Sequence, residues 1–156
     1  MSKTLRYFLI FIFTTVPIIA YADWRTELPF FDSVYYADNN NDVYDEFGYD
    51  KDKLRSHWKD VGIKEGRPSS PVFHVRYYLE KNEDVAELLG RRNFAKALKH
   101  YHDNGIREGR AAHPEFNVRR YIEVNPDVRE KIGEDNYRKA LMHYVKIGRR
   151  ERRPLN

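Results

Sequence analysis

The sequence predicts an all-α chain: three tandem units of about 43 residues, each of about three short helices, packed as a compact helical repeat array. Three observations predict it. "FDSVYYADNNNDV" (31–43), "FHVRYYLEKNEDV" (73–85) and "FNVRRYIEVNPDV" (116–128) align almost without gaps. Each is followed by a second block, "HWKDVGIKEGRP" (57–68), "HYHDNGIREGRA" (100–111) and "HYVKIGRRERRP" (143–154). Between the blocks, apolar residues fall at i, i+3, i+4 and i+7, the spacing of one helix face.

The chain opens with Lys3 and Arg6 ahead of the apolar run "YFLIFIFTTVPIIA", which ends at the small-x-small triplet Ala20-Tyr21-Ala22. This reads as a signal peptide over 1–22, cleaved before Asp23. The competing reading, a membrane anchor, needs about 20 apolar residues, and this run is shorter and carries Pro17. A lead-in (23–30) follows, then repeat 1 (31–72), repeat 2 (73–115) and repeat 3 (116–156), the last with a basic tail.

Each repeat starts with a staple. Phe31, Phe73 and Phe116 precede a capping position (Asp32, His74, Asn117), and Tyr36, Tyr78 and Tyr121 lie five residues beyond the phenylalanine, so the two rings occupy N′ and N4. Histidine is a poor cap, so the second repeat fits less well. The first helix is expected to carry Tyr35, Tyr36, Tyr77, Tyr78 and Tyr121 inward. Asn40, Asn82 and Asn125 then stand as N-caps of a second helix, with Asp42, Asp84 and Asp127 in its first turn and Pro126 at N1 of the third copy. A third helix carries Phe94, Ala97, Leu98 and Tyr101, matched by Tyr137, Ala140, Leu141 and Tyr144. Gly62, Gly105 and Gly148 are expected to end it in a Schellman stop, with Trp58, Tyr101 and Tyr144 at C3 and Ile63, Ile106 and Arg149 at C″. Terminal units should deviate, and they do: the first carries "YDEFGYDKDK", and the last has Glu151-Arg152-Arg153 for Glu-Gly-Arg.

The pattern Phe-Asp-x-x-Tyr-Tyr-x-x-x-Asn-x-Asp-Val, then His-Tyr-x-x-x-Gly-x-x-Glu-Gly-Arg, resembles helical repeats of about this length in bacterial exported and cell-surface proteins and beside polysaccharide-associated enzymes. It covers 31–154. The resemblance implies an exported helical repeat and no particular reaction.

Composition narrows the chemistry. There is no cysteine, which removes thiol nucleophiles, Cys-ligated zinc and disulfides, so packing alone must stabilise the chain. Residues 23–66 hold eleven acids against six bases, and residues 67–156 hold thirteen against twenty. Such polarity can attract an anionic partner; a solvated face is the plainer reading.

"HYHDNGIREGR" (100–110) has the residue types of a catalytic cluster. His57, His100 and His143, however, recur once per repeat, and a catalytic site needs one constellation rather than three copies. Their expected role is to fix the third helix. His102 and His113 have no counterparts; His100 and His102 point about 200° apart on a helix and cannot chelate one metal. "DNNNDVYDE" begins like a calcium loop with Asp38, Asn40 and Asp42, but position 6 is Val43 and position 12 is Tyr49, so a weak site in the acidic repeat is the most it allows. Glu65/Arg67 and Glu108/Arg110 read as an acid and an oxyanion partner in an enzyme, or as a turn whose arginine pairs across repeats; recurrence favours the turn.

The favoured function is a non-enzymatic exported binding or scaffold module in the periplasm, on the cell surface or outside the cell. It would contact envelope glycan or a protein through Tyr44, Phe47, Tyr49, His102, Arg67 and Arg110, with no cofactor, metal or specific nucleic acid. It would meet membrane only through the uncleaved signal. The rival is a small periplasmic or secreted hydrolase or lyase that acts on an acidic polymer through the histidine and Glu-Gly-Arg positions.

Overall fold

A computed structural model describes residues 29–155 together with Arg25. The expected signal peptide, most of the lead-in and Asn156 lie outside the described residues. The fold is all-α, with isolated bridges Ser70–Phe73 and His113–Phe116 in place of any sheet among the described residues. No described helix is long and apolar enough to cross a membrane.

Helix α1 (Ser33–Asp38) is capped by Asp32, whose carboxylate accepts the Val34 and Tyr35 N–H groups. α2 (Asn41–Phe47) follows at once. α3 (Lys51–His57) starts at Asp50, runs through a π turn at Trp58–Gly62, and continues as the single turn α4 (Ile63–Glu65). α5 (Val75–Lys81), α6 (Glu83–Leu89) and α7 (Phe94–His100) repeat the order, with a π turn at Tyr101–Gly105. α8 (Val118–Val124), α9 (Pro126–Ile132) and α10 (Tyr137–His143) end in a third π turn at Tyr144–Gly148. His74 caps α5 after all, its Nδ1 accepting the Tyr77 N–H at 3.3 Å.

The staple rings meet, Phe31 with Tyr36 at 5.6 Å and Phe73 with Tyr78 and Phe116 with Tyr121 at 6.0 Å. Tyr36, Tyr78 and Tyr121 are fully buried, and Phe73 stacks on Tyr101 and Phe116 on Tyr144 at 4.7 and 4.4 Å. Tyr35 and Tyr77 are only half-buried, because their position on the helix turns them away from that stack. Aromatic burial of this extent is the main stabilising term available to a cysteine-free chain.

The expected Schellman stop at Gly62, Gly105 and Gly148 is corrected. The Ile63 N–H does bond the Trp58 carbonyl, as that stop requires, but Gly62 is right-handed (φ −56°), so the chain turns on as a π bulge. What these glycines supply is space: a Cβ on Gly105 would lie 2.6 Å from the buried Tyr78 hydroxyl. The true stop comes one turn later. Gly66 is left-handed (φ +64°), with its N–H on the Ile63 carbonyl and the Arg67 N–H on the Gly62 carbonyl, the paired bonds of a Schellman motif. Gly109 and Arg152 occupy the same conformation with the same pair of bonds.

Asn40, Asn82 and Asn125 sit at the N-caps of α2, α6 and α9, but their side chains do not cap. They are buried, and each Nδ2 donates to two carbonyls: Tyr36 and Pro68, Tyr78 and Ala111, or Tyr121 and Pro154. Each asparagine thus ties the end of one helix to the extended chain beyond the left-handed stop. The Asp32 N–H bonds the Ser69 carbonyl and the His74 N–H bonds that of Ala112, so the first two segments return to their own beginnings.

The first and last parts of the chain also meet. Asp32 pairs with Arg149 at 3.0 Å, and the Tyr35 hydroxyl lies 3.3 Å from Nε2 of His113. Phe30 packs edge-on against Phe73 and Tyr101.

Candidate functional site

The recurring histidines are structural in their contacts. His57, His100 and His143 each place Nδ1 2.8 Å from the hydroxyl of Tyr36, Tyr78 and Tyr121 respectively. Burial pushes all three phenols up, so each tyrosine keeps its hydroxyl hydrogen for the bond.

The arginines of the junction turns are ion-paired within their own segment, not across segments as expected. Arg67 reaches Asp42 at 2.7 Å and Glu65 at 2.6 Å; Arg110 joins Asp84 at 2.8 Å and also Glu108; Arg153 joins Asp127 at 2.6 Å and Glu151 at 2.7 Å. The arginine hydrogen bonds hold the three aspartates below the usual carboxylate range. Links across segments come instead from Arg76 and Arg119, which sequence reading passed over. Arg76 donates to the Gly66 and Glu65 carbonyls and lies 4.7 Å over the Phe94 ring; Arg119 donates to the Gly109 and Glu108 carbonyls and lies 4.5 Å over Tyr137. Each guanidinium caps the C-terminal carbonyls of the preceding helix, where cations are favoured. The signal available in sequence was their shared place in the first block, three residues after the phenylalanine, where the first copy has Val34.

The calcium-loop residues have other engagements. Asp38 accepts the Tyr49 hydroxyl at 2.8 Å, Asn40 faces backbone carbonyls, and Asp42 holds Arg67. No cluster of three or more His, Asp or Glu able to hold a metal occurs among the described residues.

Tyr44 and Tyr49 form an exposed edge-to-face pair at 5.1 Å. Phe47 is instead packed on the core, 5.8 Å from His57. His102 bonds Asp103 at 2.7 Å and lies 5.7 Å from Phe30. These residues do not gather into one site.

A site does form at the junction of the first and second segments. An open cleft of about 630 Å³ lies between the α4 turn and α5–α7, and Lys64, Arg67, Arg76 and Arg92 line it against the single carboxylate of Glu65. Of the sequence candidates only Arg67 lies on it. His74, also on the wall, has its pKa lowered by burial and by Arg76, so it is neutral, with Nδ1 as acceptor from Tyr77 and Nε2 carrying the hydrogen. The arrangement offers several donors and an excess of positive charge, and no nucleophile activated by a base.

Comparison with protein-family models, with curated proteins and with solved structures returned no match.

Proposed function

We propose that the chain is a non-enzymatic, exported helical-repeat module, three tandem units of 42 or 43 residues over 31–72, 73–115 and 116–156, that binds a glycan or protein of the cell envelope. The observation that carries this reading is the commitment of its most chemistry-like residues to holding helices together. His57, His100 and His143 are each bonded to a buried tyrosine at the same 2.8 Å, three equivalent fastenings rather than one constellation. The tandem arrangement is supported by the recurrence of the Tyr–His bond, the asparagine clamp, the π turn and the left-handed stop at 42- or 43-residue intervals.

Alanine at His57, His100 and His143 in turn tests it. The expected outcome is a similar fall in melting temperature for all three, each corresponding to about 1–2 kcal/mol for a lost bond and a part-buried ring. In parallel, no reducing ends should appear from an acidic polysaccharide. One variant that keeps its melting temperature yet abolishes a cleavage activity would establish the hydrolase or lyase instead.

A further inference from the structure

The cleft at the first junction has a built-in comparison at the second. Position for position, Lys64 corresponds to Arg107, Arg76 to Arg119, Phe94 to Tyr137 and Arg92 to Asp135. At the second junction the corresponding donors are engaged internally. Arg107 is held by the Asp103 carbonyl and Asn104 Oδ1 at 3.0 Å, Arg119 gains the Tyr137 hydroxyl at 2.6 Å, and Asp135 stands where Arg92 would. At the first junction Lys64 and Arg92 are exposed and have no hydrogen-bond or ion-pair partner among the described residues. Arg76 has no carboxylate partner, and the phenylalanine beneath it lacks a hydroxyl; its two bonds to backbone carbonyls leave three of five N–H donors uncommitted.

Three cations that converge on one cleft, none paired with a carboxylate, repel one another, and an oxyanion removes that repulsion. We propose that this cleft, and not its second-junction counterpart, binds the carboxylate or phosphate of an acidic polysaccharide, held by Lys64, Arg76 and Arg92. This deepens the binding-module reading and rests on it. Guanidinium supplies planar paired donors suited to either group. Sparse charge is favoured over a nucleic-acid backbone for two reasons. Residues 31–66, which supply one wall of the cleft, hold nine acids against five bases and would repel a strand with one charge per about 1.7 Å. The phenyl ring of the cleft, Phe94, is 7% exposed beneath Arg76 and offers no face for a base.

The test is calorimetric titration of the purified protein with oligogalacturonate, alongside a neutral dextran oligomer, sodium sulfate and a short DNA duplex. The expected result is one site for oligogalacturonate that weakens with salt, with weaker binding of sulfate and DNA and none of dextran. Arg92→Asp, which removes no contact of the fold, should weaken binding about tenfold or more with an unchanged melting temperature. Asp135→Arg should raise the stoichiometry from one site to two. Binding unaffected by Arg92→Asp, tighter binding of DNA, or no binding of the oligogalacturonate would each overturn the proposal. Release of reducing ends with binding still dependent on Arg92 would remove the non-enzymatic reading and uphold the cleft.

Discussion

His113 is 4% exposed, accepts the Glu115 N–H on Nδ1 at 3.2 Å, and therefore presents its Nε2 hydrogen to the Tyr35 hydroxyl. Burial first, and the neighbouring His74 imidazole second, lower its pKa to about 4. The unfolded chain takes up this proton near pH 6.5 and the folded chain only near 4, so between those values the unfolded state binds more protons. Stability from this residue is therefore fully present above about pH 6.5 and falls as the pH drops toward 4, by roughly 3 kcal/mol. Burial lowers His74 and His143 in the same sense. Urea midpoints at neutral pH and at pH near 4.5 should show this loss, and His113→Gln should flatten it; a midpoint constant over that window in the wild-type chain would count against it. A second residue-scale expectation concerns Gly105. Its backbone is not left-handed, yet a Cβ would press on the Tyr78 hydroxyl at 2.6 Å inside a packed core. Gly105→Ala should cost about 1–3 kcal/mol by overpacking, read from the chemical denaturation midpoint, even though alanine is the better helix former.

At the scale of single elements, the asparagine clamps and the helix stops carry the local specificity. Asn82→Ala strands the Ala111 carbonyl and leaves that of Tyr78 with only the backbone N–H of residue 82, and should cost roughly 1–3 kcal/mol, at least as much as loss of an ordinary cap. The helices, their caps and staples, and the buried face of Phe94, Ala97, Leu98 and Tyr101 were legible from spacing, since periodicity and capping chemistry are local. The stop was misplaced by one turn. Trp58, Gly62 and Ile63 satisfy the residue pattern of a Schellman motif and make its long bond, but the need for glycine there is the approach of a tyrosine distant in sequence, which no local pattern contains. The true stop, Gly66, was visible only as the second glycine of "GIKEGR". The asparagine's partner lies 28 residues downstream, and for the same reason its side chain read as a cap. Of the candidate site, Arg67 was legible, whereas Lys64, Arg76 and Arg92 converge only once α4 is set against α5 and α7. Arg152, exposed and left-handed at φ 52°, differs from Gly66 and Gly109 in bearing a side chain that this conformation disfavours. Arg152→Gly should therefore stabilise the chain by about 1 kcal/mol, seen as a rise in melting temperature of a few degrees.

Across the whole molecule, the segments share surfaces instead of standing alone. Phe30 inserts beside Phe73 and Tyr101, Arg76 and Arg119 cap the helix before them, and α1 reaches both His113 and Arg149. Calorimetry should accordingly find one cooperative transition, with equal calorimetric and van't Hoff enthalpies; two resolved transitions would show segments that unfold independently. Arg149→Ala should shift the midpoint by no more than about 0.5 kcal/mol, because an exposed ion pair contributes little. The contrast among the three stops reaches further. A Cβ on Gly66 would strike the Phe94 ring at 2.8 Å, and one on Gly109 the Tyr137 ring at 2.7 Å, each ring belonging to the segment that follows. Arg152 meets no such ring. At such a stop glycine leaves a following ring room to dock, whereas an arginine side chain would occupy that room. A copy of residues 73–115 grafted beyond Leu155 would find its docking face obstructed until that one arginine was exchanged for glycine, so a single backbone position decides whether another segment can dock there.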